Sequence, residues 1–165
     1  MKQKLFLLLL LVSKIIYAQT LEKKIDENLY SINYPSSWKL DNTGRNNSEF
    51  FLFASPIDVN FGSNINLIIQ NLEGMNLDLT KFTEISVKQI NANGKLISSN
   101  RKSIGGLEFQ ELVFEANMNG RDLKFYQQYF VNNSNAYILT FTALSNHYDK
   151  LVDEAQIIIN TFKLK

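Results

Sequence analysis

Over most of the chain apolar and polar positions alternate with a period of two, and twice they switch to a helical period. Runs at 29–34, 50–55 and 64–72 read as strands, preceded by a short helix at 21–28. The period then changes. Leu77-Asp78-Leu79 opens a helix with Asp78 as N-cap, and Leu77 and Phe82 sit where the two halves of a hydrophobic staple belong. Leu79, Phe82, Ile85 or Ser86, and Gln89 or Ile90 share one face of it until Asn93-Gly94 stops the helix. Four longer strands follow at 95–103, 106–116, 121–131 and 136–143. Tyr148, Leu151, Val152, Ala155, Ile158, Ile159 and Phe162 then line a broad stripe at helical spacing.

The turns between the long strands fix how they pair. Asn119-Gly120 tolerates the two positive φ angles of a type I′ turn, and a hairpin closed there sets Met118 opposite Arg121, Glu115 opposite Lys124, Phe114 opposite Phe125, Val113 opposite Tyr126 and Phe109 opposite Phe130. Unlike charges and apolar groups meet suitable partners, so the register is self-consistent. A second turn at Asn133-Ser134 sets Tyr126 opposite Phe141, Phe130 opposite Tyr137 and Tyr129 opposite Ile138.

One face of this sheet collects Phe109, Val113, Tyr126, Phe130, Tyr137, Leu139 and Phe141, and the other Leu112, Phe114, Phe125, Tyr129, Val131 and Ile138. Neither face is polar enough to meet water. The expected fold is therefore α+β, an antiparallel sheet of about 6–7 strands flanked by helices on both faces in an α/β/α sandwich. The helices are few, so cover is expected to be incomplete. Where a helix leaves the sheet bare, Tyr126, Phe130, Tyr137 and Phe141 form an apolar docking or ligand surface; elsewhere they are core.

Composition narrows the compartment and the partners. Lys2 and Lys4 precede an apolar run from Leu5 to Val12, too short to cross a membrane, and Ala18-Gln19 offers a cleavage point. Residues 1–18 are thus expected to be a secretory signal and 19–165 a single domain. There is no cysteine, which excludes an acylated lipoprotein and any disulfide framework. Loss of Lys2, Lys4 and Lys14 takes the 17 basic residues to 14 against 16 acidic ones. A nucleic-acid partner is set aside, since scattered lysines and three arginines make no basic stripe.

The order of elements resembles the PsbP-like superfamily. The resemblance rests on Tyr30 to Trp38, with its Tyr-Pro-x-x-Trp end, and on Asp78-Leu79 at a helix start. It continues through Ile104-Gly105-Gly106-Leu107-Glu108 before a strand, Gln127-Gln128-Tyr129 at a hairpin end, and Ile159-Asn160-Thr161-Phe162 at the close of the terminal helix. It spans the whole of 19–165. The superfamily takes in photosystem II extrinsic subunits, Mog-type and DcrB-like proteins, and exported bacterial proteins, which this chain resembles most. The resemblance implies a non-catalytic domain acting through protein contacts, and it transfers no functional residue.

Each chemical constellation has a plainer reading. His147, the one histidine, falls in the first turn of the terminal helix, and no Gly-x-Ser-x-Gly elbow accompanies it. A zinc site of the usual ligands is not available. Asp58-x-Asn60-x-Gly62-x-Asn64 lacks the glycine and the distal Glu of a calcium loop and reads as a turn. Glu111 and Glu115 share a strand face, with Lys124 as partner for Glu115. Gly105-Gly106 is a bend before a strand, and Trp38 with Tyr34 closes the rim of a core.

The sequence thus predicts no catalytic, cofactor-binding or metal-binding residue. It predicts an exported envelope protein, periplasmic or secreted, that is a non-enzymatic protein-interaction or assembly module with a protein partner. The alternative is a carrier of a small apolar ligand held between sheet and helix.

Overall fold

A computed structural model describes residues 20–55 and 61–165. The expected signal segment, and Asp58 and Asn60 of the calcium-like stretch, lie outside the described residues.

Among the described residues ten strands and two α-helices follow in chain order. β1 (Lys23–Asp26), β2 (Tyr30–Tyr34), β3 (Lys39–Asp41), β4 (Phe50–Phe53) and β5 (Asn64–Asn71) precede α1 (Leu79–Asn93). Then come β6 (Lys95–Ile104), β7 (Leu107–Met118), β8 (Arg121–Asn132), β9 (Asn135–Leu144), α2 (Ser145–Ile159) and β10 (Lys163–Leu164). They form a seven-stranded sheet in the order β3-β4-β5-β9-β8-β7-β6 and a three-stranded sheet in the order β1-β2-β10. The pairings of both sheets are antiparallel.

The hairpin registers are those the turn chemistry predicts. Met118 faces Arg121, Glu115 faces Lys124, Phe114 faces Phe125 and Val113 faces Tyr126. Across the next turn Tyr126 faces Phe141, Tyr129 faces Ile138 and Phe130 faces Tyr137. Asn119, Gly120, Asn133 and Ser134 all have positive φ, as two-residue hairpin turns with right-handed twist require.

α1 starts where its capping residues place it. The Asp78 carboxylate accepts the Lys81 N–H at 2.8 Å. The helix stops at Asn93-Gly94 as expected, with Gly94 in an extended conformation (φ −164°). Glycine is needed there for proximity, because a methyl group would run into the Glu115 carbonyl oxygen of β7. The helix can therefore turn straight into β6 against its neighbour.

The segment expected to be a short helix at 21–28 is β1. Leu21 and Ile25, four apart, suit a helical stripe, but they also share parity on a strand. Pairing with β2 decides between the two readings, since a helix this short is marginal without strong packing. The same sheet holds the chain's last strand, which sequence patterning does not predict. Thr161 Oγ1 accepts the Asn33 N–H at 2.9 Å and lies 3.1 Å from the Asn33 carbonyl, so the end of α2 is fastened to β2.

Two clusters of buried side chains use opposite parities of the same strands. α2 contributes Tyr148, Leu151, Ala155, Ile158 and Ile159 to one, together with Phe109, Tyr126, Phe130, Tyr137, Leu139 and Phe141. α1 contributes Leu79 and Phe82 to the other, with Leu112 and Tyr129. Tyr129 and Phe130 are neighbours on β8 and so point to opposite sides of the sheet. Phe82 meets the Tyr129 ring edge-on at 5.2 Å, while Phe130 stands 5.7 Å from Phe162 at the end of α2.

Candidate functional site

Tyr126, Phe130, Tyr137 and Phe141, the four residues expected to form a surface where cover fails, are 2, 2, 4 and 0 % exposed. α2 and Phe162 lie over them, so on this side they are core. Polar atoms inside that core are satisfied. The Tyr126 hydroxyl donates to Glu111 at 2.7 Å, and Glu111 is paired with Lys102 at 2.6 Å. Burial, then the bond to the Glu111 carboxylate, push the Tyr126 pKa upward, so the phenol stays neutral.

The other sequence candidates resolve individually. Lys124 stands opposite Glu115 in register, but its ammonium turns to Asp149 at 3.6 Å and lies over the Tyr148 ring at 4.5 Å. Glu111 is occupied by Tyr126 and Lys102, so Glu111 and Glu115 are not assembled as an acid–base pair. His147 sits in the first turn of α2. Gly105 and Gly106 (φ +57° and +85°) are the turn between β6 and β7. Trp38 and Tyr34 are inside the core. Among the described residues no three His, Cys, Asp or Glu side chains converge.

The open surface lies on the α1 side. α1 packs along β6 and β7, reaches β8 through Phe82 and shares a buried cluster with Leu72, Ala136 and Ile138, leaving Asn64 and Asn66 of β5 and Thr140 and Thr142 of β9 outside that cluster. The residues of that parity form rows across four strands. Gln127 is aligned with Thr140, Asn66 and Phe51, and Phe125 with Thr142, Asn64 and Phe53. Gln127 Nε2 donates to Thr140 Oγ1 at 3.0 Å. From Leu123 to Val131 on β8, and along β9 and β5, this parity carries no charged residue. At the far edge Phe51 and Phe53 stack at 5.7 Å, with the Arg45 guanidinium 4.5 and 4.7 Å from their rings.

Between this shelf and α1 runs a groove of about 670 Å³, open to solvent. Its floor is apolar: Phe82 and Ile90 from α1 face Phe114, Phe125 and Ile138 of the sheet. Phe114 and Phe125 stack at 4.6 Å, nearly parallel at 9°. Its rim carries the carboxamides of Gln70, Gln89, Asn93, Asn117 and Gln127. No lining side chain is ionisable. Asp122 is nearby but is held by Asn117 at the hairpin tip, 2.8 Å away, and does not line the groove.

Sequence reasoning assigned Phe114, Phe125 and Ile138 to a covered face and did not single out the shelf. The signal was present in the strand alternation. β5 reads Asn64-x-Asn66-x-Ile68-x-Gln70, and the matching positions of β9 are Ile138-x-Thr140-x-Thr142. A sheet face meant only for water commonly carries Lys and Glu at such positions; these carry amides, hydroxyls and apolar groups.

Comparison with solved structures shows that the α+β fold is PsbP-like. The solution structure of cyanobacterial PsbP (CyanoP) from Synechocystis sp. PCC 6803 superposes with a TM-score of 0.63 at 12 % identity, over 87 % of this chain and 92 % of that one. LpqN of Mycobacterium tuberculosis, described as involved in cell envelope biogenesis, gives 0.64 at 15 % identity, over 87 % and 91 %. A Pseudomonas aeruginosa protein of unknown function described as a putative regulator gives 0.59 at 14 %, over 79 % and 88 %. No protein-family model matches the sequence, and neither does any curated protein. At such identities the likeness is one of fold.

Proposed function

We propose that this protein is a non-catalytic, exported module of the bacterial envelope, an α/β/α sandwich with one incomplete helical layer, which works by binding a protein partner on the bare part of its α1 side. The observation that carries the reading is the charge-free, half-buried shelf of Gln127, Thr140, Thr142, Asn64 and Asn66 beside an apolar groove. Interface cores are depleted in charge, and exposed uncharged patches with apolar ground mark interaction sites. A catalytic reading finds less support, since the groove's lining holds no acid or base and its one hydroxyl, that of Ser86, is donated to the Phe82 carbonyl. Export is supported by the charged and apolar start of the sequence and by the envelope role in LpqN's description. Among the described residues no helix is long and apolar enough to cross a membrane.

Native mass spectrometry of the protein, purified without detergent from its own envelope fraction, tests this reading. A stoichiometric polypeptide that is lost from the Thr140→Lys variant is expected. A wild-type chain that is always free of polypeptide, or a partner retained equally by the variant, speaks against it.

A further inference from the structure

The groove beside α1 has a chemistry narrower than that of a general docking face. Its volume of about 670 Å³ falls in the range typical of small-molecule sites, roughly 300–1,000 Å³. The floor is aromatic and aliphatic, built on the stacked Phe114 and Phe125 with Ile138. Gln89 and Asn93 on α1, and Gln127 on β8, bring carboxamides to its rim. A carboxamide both donates and accepts, so it can satisfy hydroxyl, ester or amide groups. It cannot neutralise a charge. A carboxylate or ammonium brought onto this floor would lose water without gaining a counter-ion, because no ionisable side chain lines the groove.

We propose that this groove binds an uncharged amphiphile, a molecule with an apolar body and a neutral hydrogen-bonding head, and discriminates against the same body carrying a charge. The apolar body lies on Phe114, Phe125 and Ile138, and the head meets the amides of Gln89, Asn93 and Gln127. This inference rests on the groove alone. It holds or fails independently of whether a polypeptide docks on the shelf.

Three probes with the same ten-carbon acyl or alkyl body test it: decanoyl glycerol, decanoate and decylammonium, each below its aggregation concentration. They are titrated into the intact protein while the Ile138 methyl and the Phe114 and Phe125 ring signals are followed by NMR. Decanoyl glycerol is expected to shift those signals saturably, and the two ions to bind about tenfold more weakly or worse, a difference of roughly 1.4 kcal/mol. Gln89 is exposed on the helix rim, so replacing it leaves the core intact. Gln89→Lys should move the preference toward decanoate, and Gln89→Glu toward decylammonium. Equal binding of all three probes, absence of binding by the neutral one, or shifts outside the groove would overturn the proposal. A protein that captures a polypeptide yet ignores decanoyl glycerol would overturn this inference and leave the assembly reading standing.

Discussion

Trp38→Ala is expected to lower stability by about 3–5 kcal/mol, the usual cost of truncating a large buried aromatic, out of a total that is roughly 5–15 kcal/mol for a domain. Trp38 is 1 % exposed. Its ring packs 6.5 Å from that of Phe141, and its indole Nε1–H donates to Glu154 of α2 at 2.6 Å. The Tyr-Pro-x-x-Trp turn places it there, with the Trp38 N–H bonded to the Pro35 carbonyl at 3.1 Å. Removing the ring therefore opens a cavity beneath α2 and removes the indole bond to Glu154. Trp38→Phe should cost less, since it keeps most of the packing and loses only the indole bond. Because Trp38 is the one tryptophan, urea unfolding is best followed by circular dichroism rather than fluorescence. A loss below about 1 kcal/mol for the alanine variant, within the range of an ordinary surface change, would contradict this view of the motif.

Phe162→Ala is expected to have an effect of similar size, again about 3–5 kcal/mol. Phe162 lies just past α2, where its ring meets Tyr30 of the small sheet at 5.7 Å. It meets Phe130 at 5.7 Å and Tyr137 at 6.4 Å on the large sheet. One side chain thus joins both sheets to the end of the terminal helix. The small sheet, whose outer strands β1 and β10 are only four and two residues long, should respond first. Hydrogen exchange should show the amides of β1, β2 and β10 losing protection before those of β8 and β9. Uniform loss throughout the chain, or none, would be the contrary result.

Much of this architecture was legible in local chemistry. Asn119-Gly120 and Asn133-Ser134 dictate hairpin turns, a turn fixes a register, and the register sorts side chains between two faces, so three long strands, β7, β8 and β9, could be paired from sequence. Asp78 with Leu77 and Phe82 likewise announces α1. What escaped depends on long-range pairing. β1 and β10 are short and are defined by β2 between them, and β10 joins it from the far end of the chain. Gly94 was legible as the stop of α1, but its close approach to β7 is visible only in the packed structure. At one side of the large sheet the three-residue β3 covers β4. β6 is the long edge strand, with Lys95, Arg101 and Lys102 along it and a bulge near Leu96, features that discourage pairing with other chains.

The candidate site was legible only in part. Two apolar faces and too few helices implied that some surface would be bare. Which face it would be turned on how the two helices divide the sheet. α2 reaches β8 and β9 and buries Tyr126, Phe130, Tyr137 and Phe141, whereas α1 is drawn toward β6 and β7 by the tight turn at Gly94. The uncharged alternation at Asn64 and Asn66 of β5 and Thr140 and Thr142 of β9 then gains significance, because those positions lie outside the cluster that α1 covers.

The central claim is that the α1 side is the working surface and the α2 side is covered core with an ordinary exterior. The most direct test places a photo-reactive phenylalanine analogue at Thr140 in one variant and at Asp153, on the exposed side of α2, in another, and irradiates cells that make the protein. The account predicts a discrete cross-linked polypeptide from Thr140 and none from Asp153. Cross-links from Asp153 alone, or the same product from both positions, would contradict it.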